Sequence, residues 1–315
     1  MTAFTMLGWV LLAGTASGFV FQRSRLCFVS ALRDLYLFRV LRMTRAILLL
    51  FLVTVAGGMI LFTVRGVPVS PVMGPTPQGA FAGGAIFAVG MVLAGSCAAG
   101  AFWRLGEGQV SQLVILLGLL GGTWVWAKAP LFPVARVQPT FSGWLAVGLL
   151  AMMLALLYGW ERRQAEVGEE LPSEKQDARF REPWSPEAGA LGMALLLIGF
   201  MALTGNTWGV TRAFLLTDRS AAVFALGLAL GGFAGARYGH EWRRRSIGTW
   251  PQVAIRLVGG LLMGYGARVG WGCTVGAVMS GMVSLTVQPW YWLAGAIIGA
   301  AVGAAILRRY MSLYL

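Results

Sequence analysis

The chain has 315 residues, of which 57% are hydrophobic and 12% charged, with 13 Trp, 14 Met and a net charge of +13; its mean hydropathy is +0.72. Soluble domains carry about 25% charged residues, so the composition excludes a soluble enzyme or a solvated binding module and points to an all-α protein that crosses a membrane many times. The sequence holds no G-x-x-x-x-G-K-[ST] loop, which excludes an ATPase of that type.

Apolar runs of about 20 residues span a bilayer. Nine are read, at 4–22, 44–64, 80–96, 110–127, 142–160, 187–203, 220–236, 251–268 and 290–307. The first is a helix rather than a signal peptide, since "MTAFTMLGWV" lacks a basic start and runs into "FQRSRLCF" without a small-residue cleavage pattern. Arg23, Arg25, Arg33, Arg39, Arg42 and Arg45 crowd the next connection, which the positive-inside rule puts in the cytoplasm. The Pro-rich "RGVPVSPVMGPTPQG" then reads as external; the connection from Lys128 to Thr140 is external too, with a few basic residues against the rule. Seven of the 12 acids fall in the polar stretch 161–184. The segment 161–186 is therefore expected to be a cytoplasmic linker between an N-terminal half, 1–160, and a C-terminal half, 187–315. "RYGHEWRRR" fills the seventh connection and Arg308 and Arg309 follow the last span. Nine crossings place the N-terminus outside and the C-terminus inside. The basic excess reads either as positive-inside loops alone or as an added pull on an anion; no nucleic-acid partner is expected.

The two halves share a motif. "GGAIFAVGMVLAGSCAAG" from Gly83 and "GGLLMGYGARVGWGCTVG" from Gly259 align at an offset of 176, pairing Gly83 with Gly259, Gly84 with Gly260, Gly90 with Gly266, Cys97 with Cys273 and Gly100 with Gly276; Gln112 also meets Gln288. Three Cys in the chain make a register match of two of them a sign of duplication. The copies lie in the third and eighth spans, five crossings apart, so they enter the membrane from opposite faces as an inverted repeat. Most of the 44 Gly are expected to serve close helix packing. The small residues beside the cysteines, Gly95 and Ser96 before Cys97 and Gly272 and Thr274 around Cys273, are expected to break each span and start a short new helix. Opposed helix N-termini would then aim free N–H groups at an anion between the thiols.

The Cys count is odd and no C-x-x-C occurs, so neither a disulfide framework nor a local redox pair is written here. The single His240 lies in a charged loop, and no metal site or cofactor is expected. Thiols are weak donors and soft partners for polarisable sulfur, which fits a sulfur-bearing oxyanion. Cys27 has no Cys counterpart: in "WGVTRAFLL", Arg212 matches Arg25 and Phe214 takes the cysteine position. From the residues alone it is either a third station or a structural thiol. Glu107 is the main intramembrane acid available for proton coupling, against the simpler reading of an i, i+3 pair with Arg104.

"GSCAAG", "GWGCTVG", "SRLCFVSALRDLYLFR" and "WGVTRAF" together resemble the YeeE/YedE family of sulfur-compound transporters across nearly the whole chain. The resemblance implies thiosulfate uptake across the bacterial inner membrane, with Cys27, Cys97 and Cys273 lining a central constriction and passing the anion by transient thiol hydrogen bonds. It also implies a small cytoplasmic sulfur carrier of the TusA type as partner, here as a separate protein, since no such domain is expected in this chain. A non-enzymatic permease is thus the reading, with a permease for another sulfur or selenium species, or a membrane thiol oxidoreductase, as alternatives.

Overall fold

The computed structural model describes residues 3–38, 40–65, 73–132, 135–137, 143–166, 183–205 and 219–309. Among them the order is α1 (Ala3–Ser24), α2 (Phe28–Phe38), α3 (Arg42–Arg65), strand β1 (Met73–Pro75), α4 (Pro77–Ala94), α5 (Ala98–Gly106), α6 (Gln112–Lys128), strand β2 (Ala135–Val137), α7 (Gly143–Glu166), α8 (Pro186–Thr204), α9 (Arg219–Tyr238), α10 (Trp250–Val269), a π-helical segment (Thr274–Met279), α11 (Ser280–Val283) and α12 (Gln288–Arg309). The two strands pair antiparallel, with Gly74 opposite Arg136. Seven stretches are long and apolar enough to cross a bilayer, and α6 and α7 add two shorter apolar helices. The chain is an all-α, multi-pass membrane protein.

Local sequence sets the helix starts. Thr76 accepts the Gly79 N–H on its hydroxyl at 3.1 Å, and Ser185 accepts that of Ala188 at 3.1 Å. Pro77 and Pro186 then lead α4 and α8, where a missing N–H costs nothing because no intrahelical acceptor precedes it. Gly95 and Gly205 end the same helices in the left-handed region.

Three expectations need correction. The basic connection after α1 contains a helix: Phe28, Val29, Ala31 and Leu32 of α2 are buried, and the ring of Phe28 packs 5.8 Å from that of Phe51. Its charges, including the neighbouring pair Arg33 and Asp34, hide an apolar face of helical period. The fifth apolar run, expected at 142–160, continues as α7 to Glu166; residues 167–182, with most of the expected linker, lie outside the described residues, as do Arg212 and Phe214. Third, the match of Gln112 with Gln288 does not follow the packing register, as shown next.

The helices pack in exchanged pairs: α4 lies on α12 as α10 lies on α6, α1 lies on α9 as α8 lies on α3, and α4 meets α10. This is the pattern an inverted duplication requires. The α4–α10 crossing is antiparallel and made of backbone. A methyl group on Gly259 would stand 2.6 Å from the Gly90 carbonyl oxygen, and one on Gly266 would stand 2.8 Å from that of Gly83. So the repeat-equivalent glycines interlock with each other's partners. Farther out, Gly118 and Gly122 meet Leu257 and Leu261, while Gly295 and Gly299 meet Phe81 and Ala85. Phe81 to Leu257 is 176 residues, but Gly118 to Gly295 is 177. One extra residue therefore enters the second half between the motif and α12. The π-helical segment lies there, and a π-bulge is how a helix absorbs an insertion.

A methyl at Gly90 or Gly259 has nowhere to go except by separating two backbones. Gly90→Ala and Gly259→Ala are each expected to destabilise the protein by about 1–3 kcal/mol, read as a fall in melting temperature in detergent. Gly148→Ala on α7, where no atom stands within 4 Å of the added carbon, is expected to leave it unchanged or raise it slightly.

Candidate functional site: three thiols at three helix starts

The chain breaks three helical runs with one device. Arg25, Gly95 and Trp271 take left-handed φ values of 53°, 69° and 54°. A single residue follows each, Leu26, Ser96 or Gly272, and then a cysteine. Each cysteine immediately precedes a helical run: Cys27 before α2, Cys97 before α5, Cys273 before the π-helical segment. Their carbonyls accept the first helical N–H groups, from Ala31 at 3.1 Å, Ala101 at 2.9 Å and Ala277 at 2.7 Å. Only Gly95 is pre-adapted to its φ; at Arg25 and Trp271 the surrounding packing holds a side-chain-bearing residue in a region that costs about 1–3 kcal/mol. Gly272 is needed for space instead, because a methyl there would stand 2.6 Å from the Ala277 nitrogen.

All three cysteines are free thiols and buried. Cys27 and Cys97 line one small cavity with Phe21, Phe28, Gly100, Trp103, Thr274 and Met279 among its walls. Cys273, one residue before Thr274, is fully buried and neighbours Cys97. First-turn residues of three helical runs thus converge on one space, each run contributing N–H groups without helical acceptors. The Cys97 sulfur accepts the Gly100 N–H at 3.2 Å. The Cys27 sulfur faces the Arg104 guanidinium, Nη2 at 3.5 Å. In both cases the sulfur's acceptor side is engaged, which leaves the thiol hydrogen as a donor. Ser96 is buried and its hydroxyl donates to the Cys97 carbonyl at 3.3 Å. It does not line the cavity; Thr274 does.

Beside the thiols stands a charged cluster. Arg25 donates to Glu107 and to Glu241, each at 2.7 Å, and Arg23 lies 3.6 Å from Glu241; Gln22 donates to Glu241 at 2.9 Å. The cluster ties the α1–α2 break, the end of α5 and the loop after α9 together. Glu107 is buried, and its partner is Arg25, not Arg104. Three positions along a helix bring side chains near each other only while the helix continues. Here the backbone is still helical at Glu107, whose N–H bonds the Trp103 carbonyl at 3.0 Å, so nearness alone does not decide the pair: Arg25 reaches Glu107 from the α1–α2 break. Arg104 instead donates to the Gly95 carbonyl at 3.0 Å and lies over the Trp103 ring, 5.2 Å from its centre.

Sequence reasoning singled out the cysteines and their small neighbours but not Arg104 and Trp103. The signal was present: an arginine seven residues after Cys97 falls within the apolar stretch Pro77–Gly106, and an intramembrane arginine marks function by its cost.

The family model described as sulphur transport matches residues 23–302. A protein named thiosulfate transporter TsuA of Escherichia coli (strain K12) is 27% identical, the alignment covering 94% of this chain and 93% of that protein. Another of the same name, from Spirochaeta thermophila, is 30% identical, covering 89% of this chain and 92% of its own.

The Glu107 pairing is open to a direct check by double-mutant cycles on unfolding in detergent. The Arg25–Glu107 cycle is expected to show a coupling of about 1 kcal/mol or more, and the Arg104–Glu107 cycle a smaller one. The reverse order would restore the i, i+3 pair.

Proposed function

The chain belongs to the sulphur transport family, and we propose that this sulfur-compound transporter is an inner-membrane permease that takes up thiosulfate through a constriction formed at Cys27, Cys97 and Cys273. The observation that carries the reading is the convergence of three N-terminal helical turns on one cavity, with two thiols whose sulfurs already accept hydrogen bonds. Thiosulfate has a soft terminal sulfur and three hard oxygens. Thiol hydrogens suit the sulfur; N–H groups and the partial positive charge of helix starts suit the oxygens. Each S–H contact is weak. Several weak contacts admit an ion and let it leave, which is what conduction requires.

Names of relatives support this substrate: both TsuA proteins are called thiosulfate transporters. They favour it over another sulfur or selenium species, and the thiol oxidoreductase is set aside because the relatives are transporters rather than enzymes. In this reading the halves 1–160 and 187–315 form the inverted repeat, the N-terminus lies outside and the C-terminus in the cytoplasm. The anion is released inside, where a separate TusA-like sulfur-carrier protein is its cytoplasmic partner.

Expression in a bacterium unable to take up sulfate, grown with thiosulfate as sole sulfur source, tests the function. Wild type is expected to support growth. Cys97→Ala and Cys273→Ala are expected to abolish it at normal membrane levels, and Cys27→Ala to impair it. Growth like wild type with either of the first two would remove the thiol relay. Sidedness is tested by labelling an added cysteine at Pro75→Cys and at Glu170→Cys with an impermeant reagent. The first is expected to react from outside and the second only from inside; labelling of both from one face would sink the inverted arrangement.

A further inference from the structure

Three arginines gather near the Cys27 break, and they are not equivalent. Arg25 is held by two carboxylates and Arg23 lies beside one of them. Among the described residues Arg104 has no carboxylate partner: the acid that its own helix offers, Glu107, is bound to Arg25. Both carboxylates of the cluster, Glu107 and Glu241, are held by Arg25, which leaves neither against Arg104. The Arg104 guanidinium contacts the Cys27 sulfur, and Cys27 and the neighbouring Trp103 line the cavity. Arg104 stands partly buried near the end of the apolar stretch Pro77–Gly106, where an anion beside it would be its counter-ion.

The surroundings fit an anion in that role. Trp103 lines the cavity, and Arg104 and Arg25 lie over its ring with their guanidinium carbons 5.2 and 5.9 Å from its centre. The ring contact helps to hold the Arg104 fork in place. Its two polar contacts, to Gly95 and Cys27, engage fewer N–H donors than the fork carries, and a guanidinium matches a pair of oxyanion oxygens in bidentate fashion. The arrangement is also one-sided. With the extra residue of the π-helical segment counted, Arg104 corresponds to Gly281, and without it to Ser280; both are neutral, so the inverted repeat supplies the cysteines twice but this cation once.

We propose that Arg104 is the substrate-binding cation of the pathway. It receives the oxyanion end of the sulfur anion while the thiols hold its sulfur end, and it selects anions over neutral sulfur compounds. This rests on the permease reading above and adds to it the residue that reads the charge.

The test uses full-length protein reconstituted in liposomes, with radiolabelled thiosulfate as the probe and initial rates measured over a range of concentrations. Arg104→Gln is expected to raise KM at least tenfold. Arg104→Lys, which keeps the charge but loses the fork, is expected to raise it several-fold with its maximal rate largely kept. A purely structural arginine would lower the amount of folded protein and the maximal rate without moving KM. Wild-type KM in folded Arg104→Gln overturns the proposal; should that variant not fold, wild-type KM in Arg104→Lys overturns it. Wild-type protein that takes up no thiosulfate overturns the permease reading and this one together, whereas active wild type with an unaffected KM in the variants overturns only this one.

Discussion

Backbone contact between α4 and α10 is the constraint on which the architecture rests. Lipid tails are as apolar as leucine, so membrane helices gain little from burying apolar surface against each other and associate through close packing. Gly83 and Gly90 lie against Gly266 and Gly259 and let two main chains touch, which no side-chain-bearing pair at those positions could do. Around this axis α12 and α6 close on the other faces of the two helices, again through glycines. The ends of α4 and α10 are thereby held in fixed relation, and Cys97 and Cys273 stand just past those ends.

Breaking a helix inside a membrane exposes backbone groups to a medium that cannot hydrogen-bond them, and such breaks persist only where protein satisfies them. Each break here ends in a cysteine whose carbonyl opens the next helix. At Gly95 the freed carbonyl is taken by Arg104 and the freed N–H by Met91 and Val92. At Gly270 the carbonyl is taken by the Gln288 side chain at 2.8 Å. The polar atoms that maintain the breaks are therefore some of the same ones that surround the thiols. Structure and site are maintained by one set of bonds.

The duplication is incomplete where charge is concerned. Both halves carry the glycine crossing and a cysteine at a helix start, but Cys27, Arg104 and Glu107 belong to the first half and have no like residue at the matching places in the second. A symmetric frame thus carries an asymmetric set of charges, gathered where Arg25 meets Glu107 and Glu241.

Apolar runs, charged connections and the glycine-cysteine repeat are properties of neighbouring residues, and they alone determined the membrane class, the apolar helices and the helix starts at Cys97 and Cys273. Gly acts on its own backbone, so the end of α4 at Gly95 was legible as well, whereas α4 begins at Pro77, inside the stretch read as an external loop. The tertiary structure decided the rest. Arg25 and Trp271 adopt a left-handed φ that their side chains do not favour, so these reversals are imposed by packing and leave no mark in composition. The apolar face of α2 was masked by charges that pair locally. The extra residue in the second half shows only once glycines on α6 and α12 are matched to what they touch. Whether Cys27 joins the other thiols, and which arginine Glu107 neutralises, depends on the meeting of segments 82 residues apart in sequence. Spacing along the chain carries no information about such meetings; they exist because α1 and α5 both pack on α9 and on each other.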